Sequence, residues 1–234
     1  MAMLNELTLI ARDVASTVRH KELRGAIALY TGAALLIFGY SVVALSWIDI
    51  LPALVIAVIF LPFVEFVTHK YVLHLLELAK NPVLAKFWER VHYAHHMEPK
   101  RLDVILAHPA SAILLVATVT VLYAALSFTS AIPLAGAALL LFSWYEIVHF
   151  SCHTDDQLQS SYFLERRQAH ALHHYVNENR NFGITTAIAD RLFGTKVEDK
   201  KELVRSPTTR NLGYTGEFAD RYPYLKGEDA KPRS

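Results

Sequence analysis

The chain has 234 residues, a formal net charge of +1 and a hydrophobic fraction of 53%. That fraction exceeds what most soluble domains contain, so the composition argues against an ordinary soluble globular protein. The balanced charge gives no basis for nucleic-acid binding, and we expect none.

The first 24 residues are predicted to form a helix in front of the apolar part of the chain. Five apolar residues recur there at spacings of three and four: Leu4, Leu7, Ala11, Val14 and Val18. Such an amphipathic helix either lies on the bilayer surface or packs against the rest of the protein. Both interpretations stay open at this point.

Four apolar segments follow, at residues 25–47, 48–67, 104–128 and 131–148. Each has about 18 to 25 residues, enough helix to cross a hydrocarbon core of about 30 Å. Only Asp49 with Pro52 interrupts the first two segments, and only residues 129–133 separate the last two. The sequence therefore predicts an all-α integral membrane protein with four transmembrane helices in two hairpins.

The positions of Lys and Arg predict the orientation of these helices. Four precede Gly25, six lie between Lys70 and Arg101, thirteen follow His153, and neither predicted hairpin turn has one. By the positive-inside rule, both termini and the middle loop lie on the cytosolic side. We expect a multi-pass protein of a bacterial inner membrane or of the endoplasmic reticulum.

Ten of the twelve histidines fall into four clusters beside the apolar segments. The clusters are His69/His74, His92/His95/His96, His149/His153 and His170/His173/His174. In the predicted topology all four emerge on the cytosolic side, where a helical cap can gather them into a metal site. Side chains three or four residues apart share a helix face, so each of the last three clusters can direct two or three imidazoles to one point.

His69 and His74 depart from that pattern, because residues five apart lie about 140° from each other on a continuous α-helix. Either the helix bends there, or the two histidines serve different metals, which is the interpretation we favour. Ten imidazoles are too many for one ion, whereas about five per ion leave one position of an octahedron open. Imidazole binds iron, copper, zinc and nickel, so the ligand type does not identify the metal.

Other polar residues near the clusters are candidates for supporting roles. Glu65, Glu89 and Glu146 each precede a clustered histidine by three or four residues, so their carboxylates could orient the ligating rings. We favour that role for Glu65 and Glu146, whereas Glu89 is also consistent with a solvated carboxylate beside Arg90. His108, about one turn inside the third segment, either lines a cavity or supports the metal ligands, or it caps a helix end.

Three further features are assigned no chemistry. His20 is interpreted as an interfacial residue, and the single cysteine, Cys152, as a packing residue. The tail at 200–234 is polar and contains proline, so we expect it to be loosely ordered. The chain then divides into an N-terminal helix at 1–24, a membrane domain with its cap at 25–199, and the tail at 200–234.

The four clusters resemble the histidine boxes of the fatty acid hydroxylase superfamily, which includes sterol desaturases and sterol methyl oxidases. They read His-Lys-Tyr-Val-Leu-His at 69–74, His-Tyr-Ala-His-His at 92–96, His-Phe-Ser-Cys-His at 149–153 and His-Ala-Leu-His-His at 170–174. Asn-Phe-Gly-Ile-Thr at 181–185 and Asp-Arg-Leu-Phe-Gly-Thr at 190–195 resemble the superfamily's ending. Pro99, Arg101, Leu102 and Pro109 are more similar to the fatty acid 2-hydroxylase branch than to the sterol branch.

The resemblance implies a non-haem centre of two iron ions held by the ten clustered histidines, a site that zinc can also occupy. It implies that O2 is activated and that one oxygen atom enters a C–H bond of a lipid, foremost a fatty acyl chain. The chain lacks a dinucleotide fingerprint, so a separate donor, such as a cytochrome b5-like protein or a ferredoxin, must supply two electrons. Lys86, Arg90, Arg166 and Arg167 either dock that donor or contact anionic lipid headgroups.

Four alternatives stay open. One is a sterol or other lipid oxidase or desaturase of the same superfamily. A membrane metal transporter would need ligands along a crossing pathway, which only His108 and the glutamates approach. A haem electron carrier would need paired histidines near the middle of the bilayer, whereas these clusters lie beyond the predicted helix ends. A di-zinc hydrolase could use the same histidines, but its activity would not depend on O2.

Overall fold

The computed structural model describes residues 2–106 and 109–225, and within these ranges the regular structure is entirely helical. The α-helices are α1 (Ala2–Thr17), α2 (Lys21–Ala44), α3 (Trp47–Thr68), α4 (Pro82–Trp88), α5 (Ala94–Met97), α6 (Pro109–Ala124), α7 (Phe128–His153), α8 (Ser161–Tyr175), α9 (Ile188–Leu192) and α10 (Gly216–Arg221). Short 3-10 turns lie at Leu76–Lys80, Leu102–Val104 and Lys200–Glu202, and π-helical turns at His69–Leu73 and Glu89–Tyr93. The prediction of an all-α chain is confirmed.

Four helical stretches are long and apolar enough to cross a membrane: Lys21–Ala44, Trp47–Lys80, Leu102–Ala124 and Thr129–His153. The sequence predicted these four, but it misplaced the breaks between them. The breaks lie at 45–46 and 125–127, so Pro52 and Pro133 are inside helices. Each proline is the sixth residue of its helix, so its missing N–H removes one backbone hydrogen bond. Membrane-spanning helices tolerate such a proline because the neighbouring helices hold them in place.

Helix α7 is the centre of the bundle and packs against α2, α3, α6 and α8. Its contact with α3 is close because Ala53 and Ala57 meet Ala137 in a buried cluster. The Asp49 carboxylate at the start of α3 accepts a hydrogen bond of 2.7 Å from the Thr129 hydroxyl at the start of α7. The two helices therefore start side by side and run in the same direction, which places their histidine-bearing C-terminal ends together.

Helix α1 packs against the histidine end of the bundle. Ile10, Val14 and Val18 lie against the apolar cluster that includes Phe150 and Phe163. The buried Asp13 carboxylate accepts hydrogen bonds from the backbone N–H groups of Gln159 and Ser160, which precede α8, and from the Ser160 hydroxyl. This face of α1 is thus a packing face.

Three of the five apolar residues that suggested an amphipathic helix lie outside the packing face. Leu4, Leu7 and Ala11 are exposed, together with Met3. The helix ends at Thr17, before the predicted limit at residue 24, because α2 already begins at Lys21.

Replacing Asp13 with Asn should weaken the attachment of α1, because the amide nitrogen cannot accept a hydrogen bond from the N–H groups before α8. We expect the free energy of unfolding to fall by about 2 kcal/mol. Thermal unfolding and limited proteolysis in detergent measure this change. Arg12→Gln is the matched control, since Arg12 is the exposed neighbour of Asp13. Equal unfolding midpoints for both variants would contradict this account of the attachment.

The region after residue 200 is packed, contrary to the loose tail expected from its composition. Its apolar side chains share a buried cluster with the segment between the first two histidine clusters: Ala79, Ala85, Trp88, Tyr93, Leu212, Tyr214 and Leu225. Composition missed this packing because a few well-spaced aromatic and aliphatic residues anchor an otherwise polar segment. Residues 226–234 lie outside the described part of the chain.

Candidate metal centre

All ten clustered histidines meet at one end of the bundle and form two groups that could each hold a metal ion. The first group is His69, His74, His92, His96 and His173; the second is His95, His149, His153, His170 and His174. Within each group, one ring nitrogen per residue lies within 4.8 Å of all the others. The groups adjoin each other, since the ring centroids of His96 and His174 are 4.3 Å apart.

A π-helical turn at His69–Leu73 places His69 and His74 in the same group. The N–H of His74 donates to the carbonyl of His69 at 3.1 Å, a bond between residues five apart. Residues at that spacing return to one face of a π-turn, whereas on an α-helix they diverge. The idea that these two histidines serve different metals is therefore wrong, and the local change of helix type is the reason.

Two of the sequence clusters are divided between the groups, contrary to the expectation that each cluster points to one place. His92 and His96 belong to the first group, but His95 belongs to the second. His173 belongs to the first group, whereas its neighbours in the cluster, His170 and His174, belong to the second. Adjacent residues on a helix diverge by about 100°, so a helix that passes between two sites can supply both.

The spacing of the ring nitrogens fits shared metal ions. The Nε2 atoms of His95 and His149 are 3.1 Å apart, those of His153 and His170 are 2.8 Å apart, and those of His96 and His173 are 3.2 Å apart. Two nitrogens bound at right angles to one ion, at about 2.1 Å each, would be about 3.0 Å from each other. In the first group, the buried Nε2 atoms of His69, His74 and His92 have no hydrogen-bond partner among the described residues.

Burial keeps these imidazoles neutral. It lowers the pKa of His92, His95 and His173 well below the usual value, and lowers the pKa of His96 to about 3. Neighbouring histidines lower the first three further, because two imidazolium ions would repel each other. Neutral rings have the free lone pair that metal binding requires.

Backbone carbonyls orient three rings of the first group. The Nδ1 atoms of His69, His96 and His173 lie 2.6, 3.0 and 2.7 Å from the carbonyl oxygens of Phe182, Thr209 and Arg180, respectively. When Nδ1 donates to a carbonyl, Nε2 carries the lone pair and faces the metal. Sequence reasoning missed these contacts, because a backbone carbonyl from a distant loop has no residue-type signature.

The loop that supplies two of these carbonyls is held by the buried Asp190 carboxylate. It accepts hydrogen bonds from the N–H groups of Phe182 and Gly183, at 2.9 and 2.7 Å, and from the Thr195 hydroxyl at 2.6 Å. Asn181 adopts a left-handed φ of 53° at the start of this loop. The two sequence segments that resembled the superfamily's ending are therefore one folded unit that touches the first group.

The predicted supporting carboxylates have different surroundings. Glu65 contacts no clustered imidazole in the described hydrogen bonds; it accepts from the N–H groups of Ile184 and Thr185 and from the Thr185 hydroxyl. Its contribution to ring orientation is therefore indirect, through the loop. Glu146 is fully buried on α7, and Glu89 is half-buried in the second π-turn. A supporting role for Glu146 stays a prediction.

Of the remaining polar residues, His20 and Cys152 lie outside the two groups. His108 lies outside the described residues. His20 pairs with Asp156 at 3.1 Å, and Cys152 is not a member of either histidine group.

The four basic residues predicted to face a partner are not equivalent. Arg166 is buried beside Glu165, and Arg167 donates to the carbonyls of Ser151 and Asp156. Both side chains therefore support the fold around the second group. Lys86 and Arg90 are exposed.

The structure resembles a solved structure described as full-length scs7p, in which only the hydroxylase domain is visible. The TM-score is 0.60 at 21% sequence identity, over 77% of this chain and 65% of that one. At that identity, the similarity establishes the fold.

Curated relatives have similar sequences over part of their length. The chain is 26% identical to mouse (Mus musculus) fatty acid 2-hydroxylase, over 62% of this chain and 40% of the relative. It is 26% identical to the dihydroceramide fatty acyl 2-hydroxylase FAH1 of Arabidopsis thaliana, over 63% of this chain and 61% of the relative. It is 28% identical to the ceramide very long chain fatty acid hydroxylase scs7 of Schizosaccharomyces pombe, over 57% of this chain and 39% of the relative. The chain thus matches less than two thirds of each of these relatives, and the predicted similarity to the 2-hydroxylase branch is confirmed.

The family model for fatty acid hydroxylases matches residues 54–195, which is more than half of the chain. The matched region contains all ten histidines of the two groups and the loop held by Asp190. The histidine geometry and this match lead to one conclusion: the chain belongs to the fatty acid hydroxylase family.

Proposed function

We propose that the protein is a membrane-bound, non-haem di-iron oxygenase that hydroxylates a C–H bond of a lipid, foremost of a fatty acyl chain. The observation that carries the proposal is the pair of adjoining five-histidine groups in a chain of this family. In the reaction, one oxygen atom of O2 forms the new hydroxyl and the other leaves as water, with two electrons and two protons from outside.

The ten imidazoles would hold the two ions, with five neutral ligands each. When bound, the iron ions would supply the activation of O2. Imidazoles add no negative charge, so the centre would keep the full positive charge of its ions. Zinc would fit the same ligands, and its presence in a purified sample would not identify the native metal.

The protein side chains near the first group keep it dry and rigid. The Phe182 ring lies 5.6, 5.3 and 5.5 Å from the rings of His69, His74 and His173, measured between centroids. Phe66 packs behind it at 5.6 Å. These aromatic rings exclude water from the first group, so water would not compete with O2 or the lipid there. The same packing holds the imidazoles in one orientation. We assign no general base, because no proton transfer from a protein group is needed to form the alcohol.

The orientation follows from charge. Residues 45–46 and 125–127 connect the apolar helices and have no Lys or Arg, whereas basic residues surround the histidine end. We infer that the histidine end and both termini face the cytosol. The described tail packs against this end, so the proposed catalytic unit extends beyond residue 199 to Leu225.

The electron donor is proposed to be a separate acidic protein of the cytochrome b5 or ferredoxin type. Lys86 and Arg90 stay candidates for contacting it, because both are exposed. We no longer assign that role to Arg166 and Arg167. The guanidinium group of Arg166 pairs with Glu165, and that of Arg167 donates to the carbonyls of Ser151 and Asp156.

Lipid mass spectrometry tests the proposed function. Cells that express the chain should accumulate acyl lipids heavier by one oxygen atom, and a His95→Ala variant should not produce them. With purified protein in lipid vesicles, formation of this product should require O2 and a reductant. A product found on sterols would redirect the proposal to sterol oxidation, whereas product formation without O2 or reductant would contradict an oxygenase.

A further inference from the structure

The segment 203–225, hereafter the C-terminal strap, follows the family-matched region, which ends at residue 195. Its first part is attached to the residues after α8. The Ser206 N–H donates to the Val176 carbonyl at 2.8 Å, and the Asn177 amide donates to the Val204 carbonyl at 2.9 Å. The strap is thus anchored next to the helix that carries the fourth histidine cluster.

The strap then reaches the second histidine cluster through Thr209. Its carbonyl lies 3.0 Å from Nδ1 of His96. The Thr209 hydroxyl is buried and shares its one proton between the carbonyl oxygens of Ser206 and Val176, at 2.8 and 3.1 Å. The side chain of Thr209 therefore holds its own carbonyl at the distance that His96 requires.

A buried carboxylate strengthens this anchor. Glu178 is 4% exposed and accepts hydrogen bonds from the hydroxyls of Ser206, at 2.9 Å, and Thr208, at 2.5 Å. On the far side of Thr209, the Arg210 guanidinium donates to the carbonyl of Met97, the residue after His96. The strap consequently ties the end of α8 to the end of α5, two places that are about 80 residues apart in sequence.

We propose that Thr209 is a positioning residue for His96, and that the strap thereby controls how firmly the first histidine group retains its metal. This inference rests on the proposed role of the histidines as metal ligands. A carbonyl that orients a ligating imidazole keeps the Nε2 lone pair aimed at the ion, and loss of such a contact typically weakens metal binding by about 10- to 100-fold. The second group should be spared, because His96 belongs to the first.

The test uses full-length protein in detergent, loaded with ferrous iron and then exposed to a chelator. Iron retained per chain is followed in time for the wild type, Thr209→Val, Thr209→Ser and Thr215→Val. Valine keeps the shape of threonine but lacks the hydroxyl, and serine restores it. Thr215 is an exposed threonine of the same strap whose side chain does not cap α10, so it provides the matched control.

We expect Thr209→Val to lose one of its two iron ions about 10- to 100-fold faster than the wild type, while the other leaves at the normal rate. Thr209→Ser and Thr215→Val should behave like the wild type. If Thr209→Val does not fold, Glu178→Met replaces it, because methionine has a similar size but lacks the carboxylate that accepts from Ser206 and Thr208, and the same selective loss of one ion is expected. This selectivity separates positioning from general destabilisation, which would release both ions faster.

Release of both ions at the wild-type rate, or equal acceleration of both, would overturn the role of Thr209 and leave the ligand assignment intact. A wild-type protein that binds no iron at all would overturn the ligand assignment, and the role of the strap with it.

Discussion

A His173→Ala protein should have no measurable lipid hydroxylation and should retain about one iron ion per chain instead of two. His173 belongs to the first group, where its Nδ1 is held by the Arg180 carbonyl at 2.7 Å. A methyl group cannot replace that ligand, and the neighbouring rings are too tightly packed to supply another. His95→Ala should have the mirror effect, with loss of the ion in the second group. Iron analysis and product formation in vesicles measure both variants.

His20→Ala is the control for this pair. His20 packs against Phe150, the residue after His149, but it pairs with Asp156 and belongs to neither group. The iron content and activity of His20→Ala should stay within about a factor of two of the wild type, as expected for a substitution outside the metal centre. Full activity in His173→Ala or His95→Ala, with two ions still bound, would refute the ligand assignment. Both variants should also have a lower free energy of unfolding than the wild type, because ligand bonds contribute to folding.

Gly183→Ala should be the most damaging glycine-to-alanine substitution among the described glycines. A Cβ at this position would lie 2.1 Å from the Thr186 carbonyl oxygen and 2.9 Å from Oδ2 of Asp190. The first of these atoms is backbone, so the loop itself must move. We expect the free energy of unfolding to fall by at least about 2 kcal/mol. The displaced loop also carries the Phe182 carbonyl that holds His69, so iron should be lost from the first group.

Gly25→Ala provides the comparison, because a Cβ there meets no atom within 4 Å. Its iron content should match that of the wild type, and its unfolding midpoint should be equal or slightly higher, because alanine favours a helix more than glycine does. Thermal unfolding of the metal-free proteins isolates the steric effect, and iron retention reports the effect on His69. A Gly183→Ala protein that is as stable as Gly25→Ala, and that retains both ions, would contradict the geometry of the Asp190 loop.

The fold class and the histidines of the two groups could be predicted because their signals are local. Long runs of apolar residues must be helical to cross a bilayer, whatever the rest of the chain does. The histidines were recognisable by type and spacing alone, since few structures need ten imidazoles near each other. Precise helix ends were less predictable, and Pro52 and Pro133 were misjudged as breaks because a helix that crosses a membrane tolerates an internal proline.

The division of the histidines into two groups could not be predicted from helical angles. It depends on the π-turn at His69–Leu73 and on the paths of two helices between the groups. Neither property follows from a 3.6-residue period. A π-turn and the path of a helix both depend on tertiary contacts with other parts of the chain. The partners of His69, His96 and His173 were hidden for a related reason, since any residue can present a carbonyl.

The proposed function requires that ten imidazoles bind two metal ions in two adjoining groups. Iron X-ray absorption spectroscopy on the full-length protein, together with iron analysis, measures this. We expect two iron ions per chain, each surrounded by imidazole nitrogens at about 2.1 Å. An iron content of one or less after full loading, or a nearest-neighbour set dominated by sulfur or carboxylate oxygen, would contradict it.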